Sequence, residues 1–477
     1  MSRTRRLLVG LLLSFLAGCA GSRWNAPLKR VDVNSGYRFL PPMGPNNSES
    51  LFVILTFSGG GTRAAALSYG VMEKLRDTTI VVNGQERQLL DEVDVISSIS
   101  GGSFTAAYYG LYRERLFEDF EQRFLKRNVQ RGLILGVLSP WNWPRLWARG
   151  FDRIDLAAEY YRKHVFGDET FAALEGQHRA PLILLNATDV SRTSRFEFTQ
   201  DEFDLFCSDL SKYPVARAVA ASSAFPLALS PITIKAYPRT CGYREPAWLT
   251  DAREERQKGS RRFYDGQITD AYLNPKLHYV HLLDGGLADN IGLRGPLQSL
   301  FSSDSPRSAP EDAGDRSILQ KINLKKVDTI LVIVVNARTR SRDKLGERVN
   351  APGIVGMIGP VVNGPMGNYS YETIELLKES MRQWTTDVQQ VENCRDLFKD
   401  NCRDGAFPDD FLQKVTYFPV EVTFDSVADT ARRERLQSMP TSFQLKPDQV
   451  DELVNVGAAL LDDNPGFQEF LKAFSPP

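Results

Sequence analysis

Five mostly apolar runs punctuate the chain, each bounded by turn residues. They read LFVILTF at 51–57, VDVISSIS at 93–100, PLILLNATDV at 181–190, YVHLLDGG at 279–286 and DTILVIVVNA at 328–337. Runs of this length predict strands, and the unbroken first one predicts a buried strand. Between them the period lengthens. After the glycines at 59–61, Ala65, Leu67, Val71 and Leu75 can share one core-facing stripe, and GGSFTAAYYGLYRERLFEDF from residue 101 has helical spacing. Helical patterns also cover 369–392 and 447–473. Strands alternating with helices predict an α/β fold. Two glycine-rich stretches, SGGGTR and SISGG, fall at strand-to-helix turns. In an open α/β sheet that carboxyl edge is where sites form. Two segments read as insertions: 236–275, charged and irregular, and 301–326, rich in Ser, Asp and Pro. No internal repeat is present.

A chain of 477 residues is long enough to bury a large core, here one large α/β domain over 51–477 with a C-terminal extension of unassigned role. The formal net charge of −1 gives no global attraction to nucleic acid, and none is expected as a partner. The N-terminus departs from this ordinary composition. MSRTRRLLVGLLLSFLAGCA has three early arginines, a short apolar run and then small residues, the pattern of a secretory signal peptide over 1–18. Its end, Leu16-Ala17-Gly18-Cys19, resembles the bacterial lipobox, which implies a lipidated Cys19 as the mature N-terminus. Ala20 follows instead of an inner-membrane retention Asp, so the expected location is the bacterial cell envelope, at the outer membrane. Several acyl chains on one residue would anchor the chain firmly. Residues 19–50, polar with LPPMGPNNSES near the end, read as a tether. Cys207, Cys241, Cys394 and Cys402 remain, an even number that suggests two disulfides in an exported protein. Of three pairings, proximity favours Cys207–Cys241 and Cys394–Cys402. With four scattered histidines and no CxxC pair, no metal site is expected, and no cofactor.

The candidate chemistry begins at residue 98. A serine nucleophile needs a base for its proton and donors for the oxyanion. A sharp strand–Ser–helix turn lifts the hydroxyl clear of the backbone and requires small residues two before and two after it, usually as G-x-S-x-G. Here Ser98-Ile99-Ser100-Gly101-Gly102 has Ser98 in the first glycine position and Gly102 in the last, which makes Ser100 the candidate nucleophile. Upstream, Gly59, Gly60 and Gly61 can aim backbone N–H groups into a common pocket beside a helix start, which suits an oxyanion hole. Arg63 can orient that loop or add positive potential. A phosphate-binding loop is the rival reading, but it lacks the GK[ST] ending. For the base, Asp284 closes an apolar run and precedes two glycines, placed to take the Ser100 proton directly. His281 and the Asp265-Gly266 pair are weaker candidates.

These pieces, in this order, resemble the patatin-like phospholipase family. SGGGTRA stands for its glycine loop with an Arg, SISGGS for its nucleophile elbow and LDGGLADN for its D-G-[GA] motif; AVAASSAFPLALSPI at 218–232 and LNATDV at 185–190 match further segments. The resemblance spans residues 51–295. It implies a three-layer α/β/α core with a mostly parallel central sheet, and a serine ester hydrolase of phospholipase A or lysophospholipase type acting through a Ser–Asp dyad and an acyl-enzyme. Ser100 takes the nucleophile role, Asp284 the base, Gly59, Gly60 and Gly61 the oxyanion loop. Arg63, Ser98 and Gly102 support them. The substrate implied is a phospholipid or another acyl-ester lipid. Ser98 and Ala64 both stand where the family has glycine, two small-for-small departures. The alternative reading keeps the scaffold but not the catalysis: an envelope lipoprotein that binds lipid or a protein partner. Residues 133–151, LILGVLSPWNWPRLWARGF, hold three of the six tryptophans with Pro and Arg between them, the composition of a lid or bilayer-facing loop or of aromatics packed on the core or a partner.

Overall fold

The computed structural model describes residues 24–39, 47–148, 150–176, 181–226, 228–301, 326–339, 354–401 and 415–475, with side chains omitted at 298–301, 354–363 and 397–401. The expected signal peptide over 1–18, Cys19 and almost all of 301–326 lie outside these residues.

Eight strands form one central sheet: β1 (Leu51–Phe57), β2 (Val93–Ile99), β3 (Leu182–Asp189), β4 (Ser194–Glu197), β5 (Ile232–Lys235), β6 (Tyr279–Asp284), β7 (Thr329–Asn336) and β8 (Thr416–Thr423). Their order is β8-β7-β1-β2-β3-β6-β5, with β4 paired to β3. From β8 to β3 neighbouring strands run parallel; β6, β5 and β4 join antiparallel. The five runs picked out by hydrophobicity are all strands, and β1, β2, β3 and β7 are buried throughout, as parallel strands covered on both faces must be. β8 escaped notice because it is an edge strand. It buries alternate residues Phe418, Val420 and Val422, and its Pro419 is tolerable only where no further strand needs the N–H.

The helices that matter for the site are α1 (Thr62–Arg76), α2 (Gly101–Tyr112), α3 (Val129–Leu138), α4 (Arg153–Tyr161), α5 (Val215–Ser222), α6 (Ala247–Glu254), α7 (Arg261–Tyr272), α8 (Ile354–Asn401), α9 (Pro447–Asp462) and α10 (Pro465–Ala473). Helices cover the mostly parallel sheet in a three-layer α/β/α arrangement. The pattern at 447–473 is two helices, broken where the Asn464 side chain caps the N–H groups of Gly466 and Phe467 and Pro465 opens the next turn. The charged stretch 236–275 is irregular over 236–246 and largely helical beyond. The helical part is α6 and α7, whose apolar side is narrow: Trp248, Leu249 and Ala252 form a small core of their own.

Two further expectations fail for physical reasons. Residues 24–39 are not a free tether. The Tyr37 hydroxyl exchanges hydrogen bonds with the backbone of Ile183 (3.0 and 2.8 Å), and Arg38 pairs with Asp201 and Asp204. Ala26–Pro27 pairs with Ser208–Asp209, and the backbone amides of Leu28 and Val31 donate to the carbonyls of Cys207 and Cys241. Those two cysteines form the expected disulfide, with Cα atoms 5.3 Å apart. Cys394 is instead an exposed free thiol. It sits on α8, which continues to Asn401. Cys402 lies outside the described residues.

The C-terminal third is integral to the domain. β7 and β8 complete the sheet beside β1, and α9 lies directly on α1. A Cβ on Gly70 would stand 2.0 Å from the Val454 carbonyl oxygen, and one on Gly457 would stand 2.4 Å from that of Leu67. Both glycines are there because the two helix backbones touch.

Candidate active site

β1 and β2 are parallel neighbours, so the turns that follow them meet at one edge of the sheet. The first turn is Ser58–Gly61, leading into α1; the second is Ser100, leading into α2. Ser100 has φ 50° and ψ −116°, a backbone conformation that non-glycine residues rarely adopt. Its N–H donates to the Ser222 hydroxyl at 2.9 Å, and Ser222 in turn hydrogen-bonds the Ser103 hydroxyl. This holds the strained turn in place from the end of α5. Ser100 is largely buried, at 7% exposure.

The elbow tolerates Ser98 because its side chain is turned away. The Ser98 hydroxyl donates to the Leu184 carbonyl on β3 at 3.2 Å and is fully buried. Gly102 is required by packing: a Cβ there would stand 2.6 Å from the Cβ of Phe57. Gly101 is tighter still, a constraint that no residue pattern marks. A Cβ there would stand 2.0 Å from the Gly61 carbonyl oxygen, so the elbow and the glycine loop are in direct backbone contact.

The glycine loop is more selective than three equivalent donors. The Gly59 N–H already donates to the Asn290 carbonyl at 2.9 Å. Gly59 therefore shapes the loop rather than offering its amide. The amides of Gly60 and Gly61 have no acceptor among the described residues, and both glycines have positive φ, 144° and 60°. Gly61 also caps α1, whose first-turn N–H groups add positive potential. Arg63, one residue into α1, is buried. Its guanidinium donates to the carbonyls of Ala337 (3.0 Å) and Met439 (2.7 Å) and to the Thr441 hydroxyl (3.1 Å). Burial draws its ionisation down to about 10. Arg63 thus ties the loop to the C-terminal third instead of facing the site.

Asp284 ends β6 and is level with Ala187 on β3, one row from the Ile99–Asn186 pair that precedes the elbow. Its carboxylate accepts from the Gly286 N–H at 2.9 Å, and the Ser100 side chain lies beside it. Burial pushes this carboxyl up to about 6, while the Gly286 N–H and the neighbouring Ser100 side chain pull the other way. Thr188 fixes the turn behind it, donating to the Asp284 carbonyl at 2.8 Å and accepting from the Ala288 N–H. Asn186, in the LNATDV segment, donates to the Ser97 hydroxyl (3.0 Å) and the Ser98 carbonyl (3.1 Å) and so braces the elbow strand. Ser222, Asn186 and Asn290 all lie within the motif segments, but nothing in their residue types announces these roles.

The rival bases lie elsewhere. His281 falls on the opposite face of β6 from Asp284, as period-2 alternation requires, where it is exposed and hydrogen-bonds Thr233 at 3.0 Å. Asp265 lies within α7. Among the described residues no group of three or more His, Cys, Asp and Glu side chains is arranged to hold a metal ion. The chemistry this arrangement permits is proton transfer from a serine hydroxyl to a buried carboxylate, beside the Gly60 and Gly61 amides.

A family model for patatin-like phospholipase matches residues 55–297, just over half of the chain. No curated protein matches the sequence. Among solved structures, the chain is similar to human GIVD cytosolic phospholipase A2, at 14% identity and a TM-score of 0.43, over 89% of this chain and 60% of the human one. It is also similar to VipD from Legionella pneumophila (11% identity, TM-score 0.26, 92% of this chain and 72% of that one). A third similarity is to the ExoU–SpcU complex from Pseudomonas aeruginosa (14% identity, TM-score 0.25, 93% and 83%).

Proposed function

The chain belongs to the patatin-like phospholipase family, and from that premise we propose that it is a membrane-anchored lipid acyl hydrolase of phospholipase A or lysophospholipase type, acting through Ser100 and Asp284. The observation that carries this reading is that the Ser100 side chain, held on its strained turn, faces the buried Asp284 carboxylate closely enough to lower its ionisation. In the first stage Ser100 Oγ attacks the ester carbonyl carbon while Asp284 accepts its proton. Charge collects on the carbonyl oxygen, where the Gly60 and Gly61 amides are free to donate. Collapse expels the alcohol, a lysophospholipid or glycerol derivative, which takes the proton from Asp284. In the second stage Asp284 draws a proton from water, the water attacks the acyl-enzyme, and Ser100 leaves with its hydroxyl restored. Donors already aligned by the fold need no reorganisation as the charge develops, and removing one such donor typically slows turnover about 10²–10³-fold.

The anchoring part of this reading rests on the lipobox-like LAGC sequence ending at Cys19. Acyl chains there would hold the chain at the outer membrane beside its substrate. Labelled fatty acid should enter the wild type and not a Cys19→Ala variant; equal labelling would remove the anchor from the proposal.

The test of the chemistry is a fluorophosphonate probe together with a lipid-ester hydrolysis panel. Wild type should form an adduct mapped to Ser100 and release fatty acid. Ser100→Ala should do neither while remaining folded. A folded wild type that neither labels nor hydrolyses any ester would favour a binding-only lipoprotein.

A further inference from the structure

Among the described residues, fourteen large apolar side chains are exposed, and six of them fall within 134–147. Ile134, Leu135 and Leu138 belong to α3; Trp141, Trp143 and Trp147 follow on the turn and short helix after it. Trp141 and Trp147 are 89% and 81% exposed. α3, VQRGLILGVL, is apolar on most of its circumference, yet of its ten residues just Val129 is buried. Such a helix is normally inside a protein or against a partner. This face is preformed rather than loose. The Asn142 side chain donates back to the Gly136 carbonyl at 2.8 Å, Arg145 pairs with Glu159, and its guanidinium lies 4.2 Å from the Phe151 ring centre.

The segment's own charges are of one sign, although Glu159 on α4 pairs with Arg145. From residue 127 to 151 the sequence has four arginines, at 127, 131, 145 and 149, and no Asp or Glu. A second copy docking by two-fold symmetry would bring two segments of like charge together. An anionic lipid surface complements them, and exposed tryptophans with interleaved arginines suit the headgroup level of a bilayer. No described helix is long and apolar enough to cross a membrane, so contact would be at the interface.

The face also borders the candidate site. A Cβ on Gly132 would stand 2.3 Å from the Tyr160 ring, so the first turns of α3 rest on α4. The next residue, Tyr161, is raised in its ionisation by burial, and the nearby Asp284 carboxylate adds to the rise. α4 packs in turn on α5, which holds the Ser100 turn through Ser222.

We propose that α3 and the 140–147 turn form a bilayer-docking face that seats the Ser100 site on an anionic phospholipid surface. The proposal rests on the lipid-hydrolase reading above. Trp141, Trp147 and Leu138 enter the headgroup region, and Arg131 meets lipid phosphate.

The test uses the full anchored chain reconstituted into phosphatidylethanolamine–phosphatidylglycerol vesicles whose acyl chains carry bromine, a short-range quencher of tryptophan. Wild type should lose a large part of its emission, and Trp141→Ser/Trp147→Ser should lose at least threefold less. Hydrolysis of vesicle phospholipid should fall at least tenfold in the double variant, while a soluble short-chain ester is turned over at the wild-type rate. Unquenched wild-type tryptophans would overturn the proposal. So would a wild-type dimer that the double variant abolishes, since the face would then belong to a second copy. Failure of wild type to cleave the soluble ester would instead sink the Ser100–Asp284 reading and leave the quenching result standing on its own.

Discussion

Gly101, the residue after the candidate nucleophile, lies so close to Gly61 that a methyl group on it would stand 2.0 Å from the Gly61 carbonyl oxygen. The Ser100 turn and the glycine loop are therefore one packed unit. Gly101→Ala must push them apart, and a displacement of about 1 Å in a catalytic constellation lowers turnover on the order of 10²-fold. We expect at least that loss on a soluble ester. Gly136→Ala is the control. It sits in the middle of α3 with nothing within 4 Å of the new Cβ, and should keep wild-type turnover with equal or slightly higher stability. Steady-state kinetics on the two variants decide the matter; an active Gly101→Ala would show that the close packing is irrelevant to catalysis.

Ser100 keeps a side chain at φ 50°, a conformation worth about 1–3 kcal/mol of strain in a non-glycine residue. Ser100→Ala and Ser100→Gly should both be inactive, but they should differ in stability. Alanine keeps the strain and glycine relieves it, so Ser100→Gly should unfold at higher denaturant, by about 1 kcal/mol net of the extra freedom of its unfolded chain. Urea unfolding of the pair reads this directly, and equal midpoints would mean that the turn is not strained.

These two glycine and serine turns were legible because each follows a continuous apolar strand and opens a helical pattern. Local order of that kind survives in a one-dimensional reading, as does an Asp closing the run at 279–284. What escaped was long-range. The Gly59 amide is taken by the carbonyl of Asn290, and a backbone acceptor has no residue-type signature. Gly101 was passed over because its constraint comes from Gly61, on a different strand-to-helix turn. Residues 24–39 read as a tether by composition, yet Tyr37 and Arg38 are buried and hydrogen-bonded and the chain before them pairs with Ser208–Asp209. The short strands β4 and β5 lack the length to stand out from loops. The break between α9 and α10, by contrast, was written in Asn464-Pro465 and needed only the rule that Pro opens a helix.

Arg63 donates to two backbone carbonyls and a hydroxyl in a buried setting, and burial is what lowers its ionisation. Replacing it by Met leaves those carbonyls unpartnered, at about 1–3 kcal/mol for each buried group, partly offset by no longer burying a charge. We expect Arg63→Met to lose about 2–4 kcal/mol of stability. Because the loop it tethers carries the Gly60 and Gly61 amides, kcat should fall more than KM rises. Arg63→Lys keeps the charge but lacks the planar fork that reaches three acceptors, and should recover little of either. Denaturation midpoints and steady-state kinetics on both variants check this; a stable, fully active Arg63→Met would remove Arg63 from the support of the site.

Asp284 couples catalysis to stability through its buried carboxyl. Burial raises that group from 3.8 to about 6 in the folded protein. As a base it must be ionised, so kcat/KM on a soluble ester should rise about tenfold per pH unit below 6 and level off above it. The same burial works against the fold. Below pH 4 the carboxyl is neutral in both folded and unfolded chains and contributes nothing. Between pH 4 and 6 the unfolded chain ionises first, and stability falls. Above pH 6 the folded protein bears a buried charge that costs about 3 kcal/mol, since each tenfold gain in proton affinity on folding is worth about 1.4 kcal/mol. Asp284→Asn removes the charge while retaining an acceptor for the Gly286 N–H. It should therefore be inactive at every pH, more stable than wild type at pH 8 by up to about 3 kcal/mol, and indistinguishable from it below pH 4. Thermal or urea unfolding of the two proteins across pH 4–8 measures the difference; a gap that does not widen with pH would mean that Asp284 ionises normally and is not held in a buried, proton-accepting site.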